Sequence, residues 1–175
     1  MRNKAIIKWI IYGVFLFFLS VVQQTLLRNI TLFGSPPSLI PVAVGIIAVL
    51  EGSYAGALMG FVGGILFDAS IGINEGFYTI VLPFAGLAIG LVSANYFRKV
   101  FNICLAFGIV CGLFCDLIRY LFAVLLQGRG NMLMPLVIIP KSALISALFV
   151  PIIFPICKRI YKRFATSEAD IEDWS

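Results

Sequence analysis

Long apolar runs, each closed by charged residues or by glycine and proline clusters, recur along the chain. A helix rises about 1.5 Å per residue, so about 20 predominantly apolar residues cross the hydrocarbon of a bilayer. Windows that meet or approach that length are 5–27, 38–50, 52–72, 77–97, 100–126 and 132–157. Between them lie "FGSPPS", "GINEG" and "QGRGN", which are turn punctuation. The second window is short, with Pro41 near its start, where a helix tolerates proline. It tilts, stops short of full depth, or runs into the third. The sixth carries Pro135, Pro140, Pro151 and Pro155 and is predicted to be kinked or broken, since an interior proline removes a backbone hydrogen bond.

The pattern predicts an all-α integral membrane protein, a six-transmembrane-helix bundle over residues 1–165, followed by a short acidic tail at 166–175. Composition agrees: 61% of residues are hydrophobic and 12% charged, against about 45–50% and 25% in soluble domains. The net charge of +5 does not point to nucleic acid, because the bases cluster at the ends of apolar runs. One side of the six-span scheme holds Arg2, Lys4, Lys8, Arg98, Lys99, Lys158, Arg159, Lys162 and Arg163; the other holds Arg28 and Arg129. The excess of bases places both termini in the cytoplasm. The first apolar run is longer than a signal-peptide core and lacks a small-residue cleavage site, so it is expected to be a retained span.

In the third window Gly52, Gly56, Gly60 and Gly64 recur every fourth residue, with Gly63 beside the last. Helical geometry puts Gly52, Gly56, Gly60 and Gly63 on one face. Such a face lets another helix approach closely, either within this chain or from a partner. The ladder ends on an acid, "GFVGGILFD" from Gly60 to Asp68, and "GIVCGLFCD" from Gly108 to Asp116 repeats the GxVxGxxxD spacing in the fifth window. A parallel two-helix repeat and coincidence both explain it.

A charge at mid-depth costs at least about 2.5–3.5 kcal/mol on insertion scales, so Asp116, Arg119 and Lys141 need partners. Asp116 and Arg119 stand three apart on one helix, and Asp116 and Lys141 lie at similar depths, about 15 and 14 Å from the outer ends of their windows. A network of these residues is expected in the outer half of the membrane, with Asp68 as a fourth member nearer the surface. It could fix helix register, bind a polar headgroup or solute, or relay protons.

Catalytic signatures are missing. The chain has no histidine, no GxSxG elbow and no phosphate-binding loop, and the contexts of Asp68 and Asp116 differ from those of intramembrane aspartyl proteases. Cys104, Cys111, Cys115 and Cys157 all fall in apolar stretches, without metal-ligand spacing, and read as packing residues. Neither an enzyme nor a cofactor is expected.

The segment "LEGSYAGALMGFVGGILFDASIGINEGFYTIVLPFAGLAIG", preceded by a short span and a proline-bearing loop, resembles the rod-shape-determining MreD family of bacterial membrane proteins. The resemblance rests on Gly52, Gly56, Gly60, Phe61, Gly64 and Asp68 and covers about residues 36–90. It implies a non-enzymatic component of the cell-elongation machinery in the cytoplasmic membrane, acting with an MreC-like bitopic protein, an MreB-like cytoskeletal protein and peptidoglycan synthases. Self-association is left open. It also implies a fold like the six-helix S components of energy-coupling-factor transporters. The alternative is therefore a vitamin-binding subunit of such a transporter, with Tyr78, Tyr120, Asn131 and the charged network furnishing its pocket.

Overall fold

The computed structural model describes residues 2–27, 39–71, 76–96, 101–127 and 134–164. Every described residue except Gly52 and Gly76 is helical. Helix α1 (Arg2–Val22) closes in a π turn over Gln23–Leu27 and is followed by α2 (Leu39–Glu51), α3 (Ser53–Ile71), α4 (Phe77–Tyr96), α5 (Phe101–Gln127) and α6 (Met134–Phe164). The first five helices fall within their apolar windows or overrun them by at most three residues, and α6 runs seven residues past its window, to Phe164.

Three of them are long and apolar enough to cross a membrane among the described residues, through Ile6–Thr25, Phe77–Ala94 and Phe101–Ile118. Their length and composition are those of a membrane protein. The outside of the bundle fits that solvent: Phe17 and Phe18 on α1, Phe84 on α4, Phe114 on α5 and Leu148 on α6 are all exposed. Water would penalise so many exposed large apolar groups.

Helix α2 is the centre. Its sequence, LIPVAVGIIAVLE, is apolar on every side up to its last residue, and a helix of that kind is buried all round. Leu39 through Leu50 are all buried, and α2 touches each of the other five helices. Its 13 residues reach only about 20 Å, short of the roughly 30 Å hydrocarbon thickness. The second window is thus a short core helix, wrapped by protein rather than lipid.

One residue joins α2 to α3. Gly52 has φ +95°, a left-handed conformation that a side chain would strain, and its amide donates to the Ala48 carbonyl at 3.0 Å. The chain reverses there, and α3 returns beside α2 with Gly56 next to Ala48 and Gly63 next to Ile40 and Val44. Helix α4 runs back against α3, and α5 lies antiparallel to α2, where Gly45 meets Gly108 and Cys111. Phe101 of α5 stacks edge-on with Phe154 of α6, ring centroids 5.0 Å apart.

The predicted break in the sixth helix does not occur: α6 is one helix of 31 residues. Pro135 stands in its first turn, where the missing amide has no intrahelical partner to lose. The later prolines are isolated single interruptions, which local adjustment and neighbouring groups can absorb within an apolar bundle.

Candidate functional site

Polar side chains enter this apolar bundle at two ends of α3. At the first, α4 begins after Gly76, whose φ is +58°, and its opening amides have no partner within the helix. Asp68, near the end of α3, supplies one. Its Oδ1 accepts the Tyr78 amide at 3.1 Å, and its Oδ2 accepts the Thr79 amide at 2.8 Å and the Thr79 hydroxyl at 2.7 Å. A carboxylate from a neighbouring helix thus does the work of an N-cap and complements the positive end of the α4 dipole. Gly64, one turn earlier, permits this approach, since a Cβ there would stand 2.5 Å from the Tyr78 carbonyl oxygen.

Tyr78 links the acids of both GxVxGxxxD copies. Its amide binds Asp68, and its hydroxyl donates to Asp116 Oδ1 over a long 3.4 Å. The buried ring packs on Phe67, with centroids 4.2 Å apart, and meets Phe77 edge-on at 5.5 Å. Asp68 and Asp116 are therefore brought together through a residue that the sequence offered only as a pocket group. Arg119 lies on α5 and Lys141 on α6, and their side chains lie outside the described residues.

The glycine ladder divides between two neighbours. Gly56 and Gly60 abut α4 backbone, and added Cβ atoms would lie 2.4 Å from the Gly86 oxygen and 2.6 Å from the Leu82 oxygen; Gly64 completes the row. Helix α4 answers with Gly86 and Gly90, whose Cβ atoms would fall 2.3 Å from the Gly56 oxygen and 2.4 Å from Ser53 Cα. Gly63 instead faces Ile40 and Val44 of α2 at 3.1 Å, and Gly52 forms the turn with nothing within 4 Å. The expected face is wedged between both neighbours, since a Cβ at Gly56 would also stand 2.7 Å from Ala48 Cβ of α2 and one at Gly63 3.5 Å from Leu82 Cδ2 of α4. The contact follows the i, i+4 ridge, which is inclined to the helix axis and so passes through Gly64.

The second motif copy packs differently. Cβ atoms at Gly108 and Gly112 would meet Val42 on α2 at 3.3 and 3.4 Å, close to ordinary contact. The backbone approach is tighter at the α3 copy, 2.5–2.6 Å against 3.3 Å from the Gly108 Cβ to the Val42 oxygen.

At the other end of α3, Glu51 pairs with Lys8 of α1 and accepts the Tyr12 hydroxyl at 2.9 Å. The Glu51 side chain is 5% exposed and that of Lys8 18%, so this ion pair is largely inside the bundle. The Lys8 ammonium also lies 5.8 Å from the Trp9 ring and 5.9 Å from the Tyr161 ring, within cation–π range. The start of α1, the α2–α3 turn and the end of α6 therefore share one end of the bundle. Sequence reasoning assigned Lys8 to orientation and passed over Glu51. A signal was present: Glu51 is the sole charged residue between Arg28 and Asp68.

The four cysteines are buried and carry no disulfide, and among the described residues no three His, Cys, Asp or Glu converge as a metal site. What the polar groups do geometrically is join elements: Asp68 ties α3 to α4, Tyr78 ties α4 to α5, and Glu51 ties the α2–α3 turn to α1.

Fold and polar clusters together define an all-helical bundle of membrane type among the described residues, close-packed through glycine, with Asp68 and the Lys8–Glu51 pair turned inward at helix ends. No protein-family model, curated protein or solved structure matches the chain.

Proposed function

We propose that the chain is a six-helix protein of the bacterial cytoplasmic membrane, in which the short α2 carries the chain across inside the bundle rather than against lipid and both ends lie in the cytoplasm. In this proposal it serves, without catalysis, as an MreD-like component of the rod-shape machinery. One observation carries the reading. The residues of the family-like motif form a single device, in which Gly56, Gly60 and Gly64 admit α4 to backbone contact and Asp68 caps it. The result is a rigid α3–α4 hairpin.

The opposite face of α3 carries Tyr54, Leu58, Phe61 and Ile65, all exposed and spaced along one stripe, with Tyr54 91% exposed. A stiff hairpin with an apolar outer stripe suits side-by-side contact with the membrane helix of an MreC-like bitopic partner. Through that partner it would act on an MreB-like cytoskeleton and on peptidoglycan synthases. The orientation is supported by Lys8, Lys158, Arg159, Lys162 and Arg163, which fall at the shared end of α1 and α6.

Depletion tests the reading. Rod-shaped cells should round up as the protein is lost, and re-expression should restore them. Cells that stay rod-shaped but lose uptake of a vitamin would overturn it in favour of a transporter subunit.

A further inference from the structure

A groove between α1 and α6 opens at the basic end of the bundle. Ile11, Ile156, Ile160 and Phe164 line it together with Arg159 and Arg163, around a cavity of about 390 Å³. That volume falls within the range of small-ligand sites. Arg159 and Arg163 are one turn apart on α6, so their Cα atoms are separated by about 6 Å along its axis. Both are exposed, and neither forms an ion pair with a described residue. Two other bases at this end are engaged, Lys8 with Glu51 and Lys158 over the Phe154 ring at 5.6 Å.

The two guanidinium groups stand where the apolar run Ile152–Cys157 gives way to Lys158–Arg163, the depth of lipid headgroups in a bilayer. An apolar cleft alone would accept any acyl chain. Arginine adds selection, because its planar fork matches the paired oxygens of a phosphodiester, whose charge a choline ammonium offsets and an uncharged headgroup leaves whole. Basic pockets between membrane helices take anionic headgroups on these grounds.

We propose that this groove binds one anionic phospholipid. Its phosphodiester lies on Arg159 and Arg163, and an acyl chain runs along Ile11, Ile156 and Ile160. The proposal rests on the chain lying in a bilayer and is independent of the rod-shape assignment.

The test is native mass spectrometry of the purified full chain, released from micelles holding equal amounts of phosphatidylglycerol and phosphatidylcholine with identical acyl chains. A base at an anionic membrane surface contributes about fivefold, so two give a preference of about 25-fold for phosphatidylglycerol. Arg159→Gln with Arg163→Gln should bring the two lipids to parity at unchanged melting temperature. Arg159→Lys with Arg163→Lys should keep part of the preference, and Lys162→Gln, outside the groove, should keep all of it.

Parity in the wild-type chain would overturn the proposal, as would equal loss in Lys162→Gln. Displacement of the lipid by inorganic phosphate would reassign the site to free anions. A preference that appears only after deletion of residues 166–175 would show that the acidic tail fills the groove, and would likewise overturn it. Extraction of the chain from membranes by alkaline carbonate would instead refute the bilayer reading, a separate failure.

Discussion

A single methyl group added at Gly86 tests the glycine seam. In Gly86→Ala the new Cβ would stand 2.3 Å from the Gly56 carbonyl oxygen and 2.7 Å from its carbon, both of them backbone atoms that no rotamer change can move. Ordinary contact begins at 3.4 Å, so α3 and α4 must part there by 3.4 − 2.3, or about 1.1 Å. A gap of 0.5–1 Å already forfeits about a quarter to a half of each van der Waals well along the seam. Overpacking in a tight core costs about 1–3 kcal/mol, and backbone on both sides puts this variant at the upper end. Gly13→Ala is the control, because nothing lies within 4 Å of its Cβ, and a helix-interior alanine gains up to about 1 kcal/mol. Gly108→Ala, whose Cβ would stand 3.3 Å from the Ile46 and Val42 side chains and from the Val42 carbonyl oxygen, should fall between them. The buried Cys104, Cys111, Cys115 and Cys157 supply the assay, since a thiol-reactive dye in detergent reports unfolding as they become accessible. A loss near 3 kcal/mol corresponds to a fall of about 6–12 °C in a chain of this size. Equal melting temperatures for Gly86→Ala and Gly13→Ala would refute the close-approach account of the ladder.

Asp68→Ala should cost about 1–2 kcal/mol by stranding the Tyr78 and Thr79 amides, and Asp68→Asn less, because its amide oxygen still accepts. Hydrogen exchange should quicken in the first turn of α4 while α5 is unaffected; uniform quickening would count against capping. Lys8→Met leaves Glu51 inside without its cation and should destabilise by about 3–5 kcal/mol, whereas Lys8→Met and Glu51→Leu combined with Tyr12→Phe, which removes the hydroxyl that Glu51 accepts, should melt near the wild type. A combined variant as damaged as Lys8→Met alone would show that the cluster does not act as a unit. For the expected charged network, Asp116→Asn with Lys141→Met should lower protein level or rod-shape rescue in depleted cells, and no change in either would remove that network from consideration.

Hydropathy located the helices because a long apolar run has few other fates, yet it could not say which helix lipid never touches. Leu39–Leu50 would read the same against acyl chains as against other helices, so the central place of α2 emerges only from packing. The ladder was legible as a row of small residues. Its partner row, Gly86 and Gly90, was not, since two glycines four apart are unremarked in an apolar helix. Gly52 looked like a fifth rung and is the hinge, because nothing in a sequence distinguishes a glycine needed for space from one needed for positive φ.

The charges show a different limit. An acid in an apolar run reads by default as a functional group, and Asp68 and Asp116 were singled out on that ground. In the structure Asp68 serves the backbone. The first amides of α4 would have no partner in lipid, where each unpaired group costs several kcal/mol, and a carboxylate on the preceding helix removes that penalty. Capping residues are sought immediately before a helix, and this one sits eight residues upstream of Gly76 on another element. Glu51 was passed over for the converse reason, its cation lying 43 residues away on α1. If the described acids are occupied in holding helices together, contact with other molecules falls to surfaces that the bundle leaves uncovered, among them the outer stripe of α3 and the arginine-lined groove beside α6.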